Sequence, residues 1–401
     1  MNDSSSTVLI FPASYYQLDL FRAAQDLNYR IATFDYAADN PGHQMADVSQ
    51  IIDVRDLDTA LAFARAQNIS AVCSACSDVS LAALAHISHG LGFAGPSPEM
   101  IETLTSKINF RRWQAQFGNA PIAFVDLSTP HLSGAARAAL PARVVIKPDI
   151  ASGSKGIYIC DRDEVSDALL ETSSRESLNG CIVIEQCVTG EHYTFEGFLH
   201  EGAFVFQMCT ARLRNPKDQV GTVGHIFPSG LSASVQDQLM LELRAIFAHF
   251  GYQNGPVDCD FVVSGDQVSI LEVTPRLGGN AISKLASASF GISLPDYYLR
   301  SQLGLPLEWP DVAAGKAAAV CLITSDVEGQ LSYQADALEP EALPAWVAQA
   351  ELDYPNKTKV RAFKDGRDRI GEVTLFADST REVHARFADF LKYLDFDVAP
   401  S

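Results

Sequence analysis

The 401-residue chain carries 30 basic and 49 acidic side chains, a formal charge of −19, with 47% hydrophobic and 20% charged residues. That length suffices for two or three domains, and the negative balance disfavours nucleic acid or an anionic membrane as the main partner. No apolar run approaches the roughly 20 residues of a membrane span. The N-terminus is polar and acidic, unlike a secretory signal, and eight cysteines over this length make no disulfide framework; a cytoplasmic protein is expected.

The first hundred residues alternate strand and helix patterns. Thr7–Phe11 is a short apolar run suited to a buried strand, Leu18–Leu27 repeats apolar positions at helical spacing, and Arg30–Asp35 reads as a second strand. Asn40-Pro41-Gly42 punctuates a loop. A helix over Leu57–Ala66 and a strand over Ile69–Cys73 continue the βαβ rhythm, which predicts a parallel sheet covered by helices. The first turn, Pro12 to Gln17, has no glycine fingerprint, which argues against a dinucleotide site despite Asp35 at the end of the second strand. Cys73 and Cys76 have CxxC spacing, but no second pair or nearby histidines complete four metal ligands. They read as reduced thiols at the end of a buried strand.

A helical stretch from Pro98 to Phe117 leads into the centre of the chain. From Arg143 the pattern is strand-rich: 143–148, 157–160, 181–185, 192–199 and 203–209. An amphipathic helix follows over Val235–Phe250, with Gly251 as its C-cap, and then strands over Asp258–Val263 and Val268–Val273. Pro306–Pro310 reads as a linker. The last ninety residues mix short strands (Ala318–Ile323, Glu372–Phe376) with a final helix, Thr380–Leu394.

Two segments carry the chemistry. Ser152, Gly153, Ser154, Lys155 and Gly156 form a small-residue loop between two strand patterns. Neither the GxxxxGK[ST] spacing nor the following helix of a P-loop is present. A strand–loop–strand arrangement makes a flap whose backbone N–H groups close over phosphate oxygens, with Lys147 as a fixed charge beside them; an exposed hairpin is the alternative. Farther on, Asp260 and Glu272 lie on adjacent strands joined by the turn Ser264–Gln267. A hairpin brings them together, and two carboxylates facing one pocket suit Mg²⁺. Thr274 shares the face of Glu272 by the period-two rule, and Arg276 lies just beyond, its charged fork suited to a carboxylate or acyl phosphate. An ordinary surface hairpin is again the alternative. His225, in the loop Val223–Ser229, is either a pocket residue or a packed histidine. Arg212 and Arg214 either hold a substrate carboxylate or are solvated. Gly278, Gly279 and Asn280 either offer N–H donors to an acyl oxygen or form a turn.

Lys107, Lys147-Pro148, the 152–156 loop, Glu185–Glu191 and Glu272–Arg276 occur in an order that resembles the ATP-grasp enzymes over nearly the whole chain. The pattern is most similar to carboxylate–amine ligases of the L-amino-acid ligase type. It is also similar to biotin carboxylase, carbamoyl-phosphate synthetase and formate-dependent purine-pathway enzymes. The resemblance implies an α/β fold that is α+β in its centre. A parallel N-terminal domain (1–105) would precede a central ATP-grasp domain (106–305) with a mobile glycine-rich flap (121–188), and a small α+β domain (306–401) would follow. It implies that Lys107, Lys147 and residues 152–156 contact ATP phosphates. Glu185, Gln186, Cys187 and Val188 form the hinge whose backbone reads adenine, and Glu191 binds ribose. Asp260 and Glu272 ligate Mg²⁺ or Mn²⁺, and Arg276 steadies the acyl phosphate. Asp260 stands where glutamate is commoner, and Thr274 where many relatives carry asparagine. A homodimer is expected from the family alone.

Three functions follow for comparison. The first is an ADP-forming ligase that joins a small carboxylate, such as an amino acid, to an amine through an acyl phosphate. The second uses the same cleft to activate bicarbonate or formate. The third is a nucleotide-binding regulator without turnover, against which the retained lysines, carboxylates and Arg276 argue. No GxSxG elbow or Cys–His nucleophile is present, and none is required.

Overall fold

A computed structural model describes residues 6–118, 120–151, 155–214, 221–364 and 368–400. The N-terminal part is a parallel sheet of β1 (Thr7–Ile10), β2 (Arg30–Asp35), β3 (Val48–Ile51) and β4 (Ile69–Cys73), in the order β3-β2-β1-β4. The alternation of β1 explains why it is apolar throughout. Val8 and Ile10 pack on one face with Leu20 and Phe21, while Leu9 and Phe11 pack on the other with Phe63, Leu81 and Leu84. Cys73 is buried at the end of β4 and Cys76 lies just past it; both are free thiols.

The expected helix over Pro98–Phe117 is two helices, Pro98–Thr105 and Lys107–Phe117. Ser97 caps the first, and Ser106, in an extended conformation, caps the second by accepting from the Asn109 N–H. The break places Lys107 at a helix N-terminus. Next come β5 (Phe124–Leu127), β6 (Arg143–Pro148), β7 (Tyr158–Asp161) and β8 (Ile182–Gln186), an antiparallel sheet in the order β5-β8-β6-β7. The glycine-rich loop falls between β6 and β7; Ser152, Gly153 and Ser154 lie outside the described residues.

The centre is built on β9 (Glu191–His200), β10 (Ala203–Arg214), β11 (Thr222–Phe227), β12 (Gly255–Ser264), β13 (Gln267–Thr274) and β14 (Ala318–Ile323). Then follow β15 (Gly329–Ser332), β16 (Val347–Leu352), β17 (Lys359–Val360), β18 (Gly371–Phe376) and β19 (Asp397–Pro400). Eight of these form one antiparallel sheet, β13-β12-β9-β10-β11-β14-β18-β16, and β17, β15 and β19 form a small separate one. The large sheet runs across the boundary expected at 305/306, because β14 pairs with β11 from Gly224↔Cys321 to Phe227↔Ala318. The expected linker is packed too. The Trp309 ring lies 4.8 Å from that of Phe198 and 4.6 Å from that of Tyr297. His225, expected in a loop, lies within β11. Helix Ala233–His249 covers the sheet with Val235, Leu239, Leu243 and Ile246, and Gly251 beyond its end has φ +64°. Among the described residues no helix is long and apolar enough to cross a membrane.

Candidate functional site

The flap sheet, helix Lys107–Phe117 and β13 are fastened together by one buried charge network. Glu185 of β8 is 1% exposed and takes Lys147 Nζ of β6 at 2.6 Å and Arg111 Nε at 2.8 Å. Arg111, fully buried, also donates to Gln114 Oε1 at 2.6 Å and to the Leu271 carbonyl of β13 at 2.7 Å. Burial alone would raise the Glu185 pKa, but the charges of Arg111 and Lys147 prevail and hold it at about 2. Lys147 is thus fixed by an ionised carboxylate and retains further N–H donors for a ligand. Lys107 Nζ donates to the carbonyls of Asp149 and Ala151 at 3.4 and 3.2 Å, at the start of the flap loop. Beneath it, buried Asp149 accepts from Ser106 Oγ and the Ile108 N–H, both at 2.8 Å, so a carboxylate faces the helix N-terminus. Lys155 and Gly156 are described at the loop's far end, with Gly156 at φ +65°.

The segment expected to form the hinge runs from Glu185 to Glu191. The Gln186 and Cys187 N–H groups are already taken by the carbonyls of Ala123 and Arg143, at 2.8 and 3.1 Å, while Val188 follows where the flap sheet has ended. Gly190, φ +154°, presses so closely on β12 that a Cβ there would lie 2.2 Å from the Val263 carbonyl oxygen. Glu191 is exposed at the start of β9.

Asp260 and Glu272 are direct partners across the β12–β13 ladder. Asp260 accepts from Thr194 Oγ1 at 2.7 Å and Arg212 Nη1 at 2.8 Å. Burial would raise its pKa, but Arg212 and the Thr194 hydroxyl bring it below the usual carboxylate value. Among the described residues no hydrogen bond or ion pair engages the Glu272 side chain. No group of three or more His, Cys, Asp or Glu is gathered to hold a metal among them either. A pair of carboxylates, one of them uncommitted, fits Mg²⁺, which keeps waters and takes its other ligands from substrate phosphates. Arg212, a candidate for substrate binding, is therefore occupied by Asp260 and Thr222. His225 is buried, 3.1 Å from Thr210 Oγ1, and burial with Arg212 beside it pushes its pKa down to about 3. It is a neutral, packed histidine. Burial pushes the His192 pKa down to about 4, helped by the charges of Arg214 and Arg212.

Arg276 sits at the floor of the site with 11% exposure. Its Nε donates to Asp78 Oδ1 at 2.6 Å and its Nη1 to Asp258 Oδ2 at 2.8 Å. Asp258 pairs across the ladder with Glu196 of β9. Burial pushes Asp258 up to about 7 and, with the Asp258 charge, pushes Glu196 well above its ordinary value. The Gly278 N–H donates to both Glu196 oxygens, at 3.2 and 3.0 Å, so it points inward and only the Gly279 side of that turn is left for an acyl oxygen. A Cβ at Gly278 would lie 2.5 Å from Glu196 Oε2. Thr274, opposite Asp258, keeps a buried hydroxyl without a hydrogen-bond partner among the described residues. Sequence reasoning passed over Glu196, Asp78, Arg111 and Asp149. An acidic residue at an inward strand position, as in Phe195-Glu196-Gly197, was the one available signal.

Past Gly278 opens a small cleft of about 70 Å³, lined by part of the segment 15–22, the Gly278–Ala281 turn, Lys284, Glu351, Arg369 and Glu372. It touches all three parts of the chain.

Residues 140–284 match the family model described as the ATP-grasp domain. The chain is 25% identical over 405 residues to a formate-dependent phosphoribosylglycinamide formyltransferase of Paraburkholderia xenovorans, covering 96% of this chain and 94% of that one. Among solved structures it is similar to an L-amino acid ligase from Bacillus licheniformis, with TM-score 0.80, 17% identity and 99% of each chain covered. It is also similar to a phosphoribosylglycinamide synthetase from Anaerococcus prevotii, with TM-score 0.78, 17% identity, and 99% of this chain and 100% of that one covered. The chain is an ATP-grasp protein in fold, and residues 140–284 are its ATP-grasp domain.

Proposed function

We propose that the protein is an ATP-dependent, ADP-forming ligase that activates a small carboxylate, such as an amino acid, as an acyl phosphate and joins it to an amine. One observation carries the reading. Lys147, Asp260 and Arg276 are each held by protein partners that leave ligand-binding capacity free, and Glu272, across the ladder from Asp260, has no partner among the described residues, which supports one site for ATP, metal and acyl phosphate. Lys147, pinned by Glu185, presents its remaining donors to the phosphates of ATP. Asp260 and Glu272 would hold Mg²⁺, which would neutralise phosphate charge. The carboxylate oxygen attacks the γ-phosphorus and ADP leaves. Arg276 is fixed through Nε and Nη1, so its Nη2 donors face the charge that develops on the acyl phosphate. The amine then displaces phosphate and forms the amide. Protein atoms form no covalent intermediate.

The relatives also support a second reading, in which formate or bicarbonate takes the carboxylate's place, as the name of the formate-dependent relative indicates for that protein. ADP release with Mg²⁺–ATP against the twenty L-amino acids, singly and in pairs, with formate and bicarbonate alongside, separates the two. Release requiring an amino-acid pair, with a condensed product by mass spectrometry, supports the ligase. Release only with formate or bicarbonate refutes it.

A further inference from the structure

Glu272 faces Asp260 because β13 carries one residue more than a regular ladder allows. From the turn, the pairs run Ser264↔Gln267, Val263↔Val268, Val262↔Ser269 and Phe261↔Ile270; continued without a break, they would seat Leu271 opposite Asp260. The next pair is instead Asp260↔Glu272, so Leu271 is the extra residue of a β-bulge. Burial shows the same change of phase. Val268, Ile270 and Val273 lie in one core cluster with Cys259 and Phe261 of β12, although strict alternation from Val268 would turn Val273 away from it. In a regular ladder Glu272 would point into that core and the carboxylate pair would be lost.

The bulge is held from outside the sheet. β13 is the last strand of the large sheet, so carbonyls on its outer edge meet no neighbouring strand. Helix Lys107–Phe117 takes two of them. The Ile270 carbonyl accepts from Gln114 Nε2 at 3.1 Å, and the Leu271 carbonyl accepts from Arg111 Nη2 at 2.7 Å. Consecutive carbonyls of a regular strand point to opposite edges, whereas here one helix meets both. Arg111 is fully buried and Gln114 is 3% exposed, and Arg111 Nη1 donates to Gln114 Oε1 at 2.6 Å, so the two side chains brace each other. Arg111 Nε also lies 2.8 Å from Glu185, which holds Lys147. The Leu271 carbonyl belongs to the planar peptide that leads directly into Glu272, so the guanidinium fixes the plane from which that side chain departs.

We infer that Arg111 is a positioning residue for Glu272: by holding the Leu271 bulge it keeps the Glu272 carboxylate opposite Asp260. The inference rests on the metal role proposed for Glu272 and adds a residue that itself touches no ligand. Without the guanidinium, the Leu271 carbonyl would be left without its donor and the peptide would turn to find another.

Calorimetry on the full chain reads ADP affinity twice, in EDTA and in saturating Mn²⁺. Wild type should bind ADP at least tenfold tighter with Mn²⁺, and Glu272→Gln should lose most of that gain; failure of either refutes the metal reading itself. Arg111→Lys keeps a positive charge beside Glu185, but lysine lacks the fork that also reaches the Leu271 carbonyl. It should lose at least threefold of the Mn²⁺ gain, while ADP affinity in EDTA changes less than twofold. Added to Glu272→Gln it should cost nothing further, because its effect passes through that carboxylate. Gln114→Met alters no charge and releases the Ile270 carbonyl. The same selective loss is expected there, and that variant decides the matter where Arg111→Lys does not fold. An undiminished Mn²⁺ gain in the folded variants, equal losses in EDTA and Mn²⁺, or a loss that persists in the Glu272→Gln background overturns the inference.

Discussion

Glu185→Gln tests the network beneath the flap. The substitution keeps the shape but removes the charge that neutralises Arg111, which is fully buried, and Lys147, which is 12% exposed. Breaking a buried pair by removing one partner costs about 3–5 kcal/mol. A second route gives a similar figure. The Glu185 pKa falls from 4.5 to about 2, which corresponds to about 3 kcal/mol of native-state stabilisation at neutral pH. Because the folded-state pKa is depressed, that stabilisation is complete above pH 4.5 and is lost as pH falls toward 2. The wild-type advantage over Glu185→Gln should therefore shrink from about 3 kcal/mol at pH 7 to about 2 kcal/mol at pH 3.5. Urea unfolding of both proteins, followed by tryptophan fluorescence at each pH, reads this difference directly. Trp113 lies on the same helix as Arg111 and reports the unfolding of that element. A difference below about 1 kcal/mol at pH 7, or one that does not change with pH, refutes the account.

Three further outcomes follow from the site. Glu272→Gln should abolish ADP release while the urea midpoint moves little, because the side chain has no protein partner among the described residues; near-normal activity contradicts the metal role. Lys147→Ala should weaken ATP binding in calorimetry by about tenfold or more through loss of a charge-assisted contact, and unchanged affinity contradicts the phosphate role. Asp78→Asn loosens one of the two anchors of Arg276 and should lower kcat about tenfold while the KM for ATP stays constant, since Asp78 anchors Arg276 and not the phosphate-binding Lys147 proposed above. Equal changes in kcat and KM would assign Asp78 a structural role instead.

What the chain reveals before folding depends on how local the cause is. The strands Arg30–Asp35 and Ile69–Cys73 and the helix Leu57–Ala66 were legible to the residue, because their periodicity is set by burial on fixed faces. The break at Ser106 was not. A serine inside a helical pattern reads as tolerated until the Asp149 carboxylate arrives from 43 positions away to bond its hydroxyl. From sequence His225 reads as a loop residue, with Gly224 and Pro228 punctuating its surroundings. Yet a Cβ at Gly224 would lie 2.3 Å from the Val320 carbonyl, so that glycine marks close strand pairing instead of a turn. Pro306–Pro310 looked like a linker because two prolines outweigh one tryptophan in composition, whereas Trp309 packing outweighs both in the fold. Asp260 and Glu272 could be paired from the turn between them. The Arg276–Asp78 contact spans 198 positions, and no local pattern announces it.

The partners that were hidden from the sequence set the electrostatics of the proposed site. Lys147 is held by Glu185, Arg212 by Asp260, and Arg276 by Asp78 and Asp258. Without ligand, each cation is thus compensated and fixed in direction, so little reorganisation remains when phosphate charge enters. Glu272 departs from that rule, lying opposite Asp260 without a protein partner among the described residues. An uncommitted carboxylate in the midst of balanced pairs is costly unless a cation completes it. At Lys147 and Arg276, by contrast, N–H donors are left over for the anionic groups of the proposed substrates.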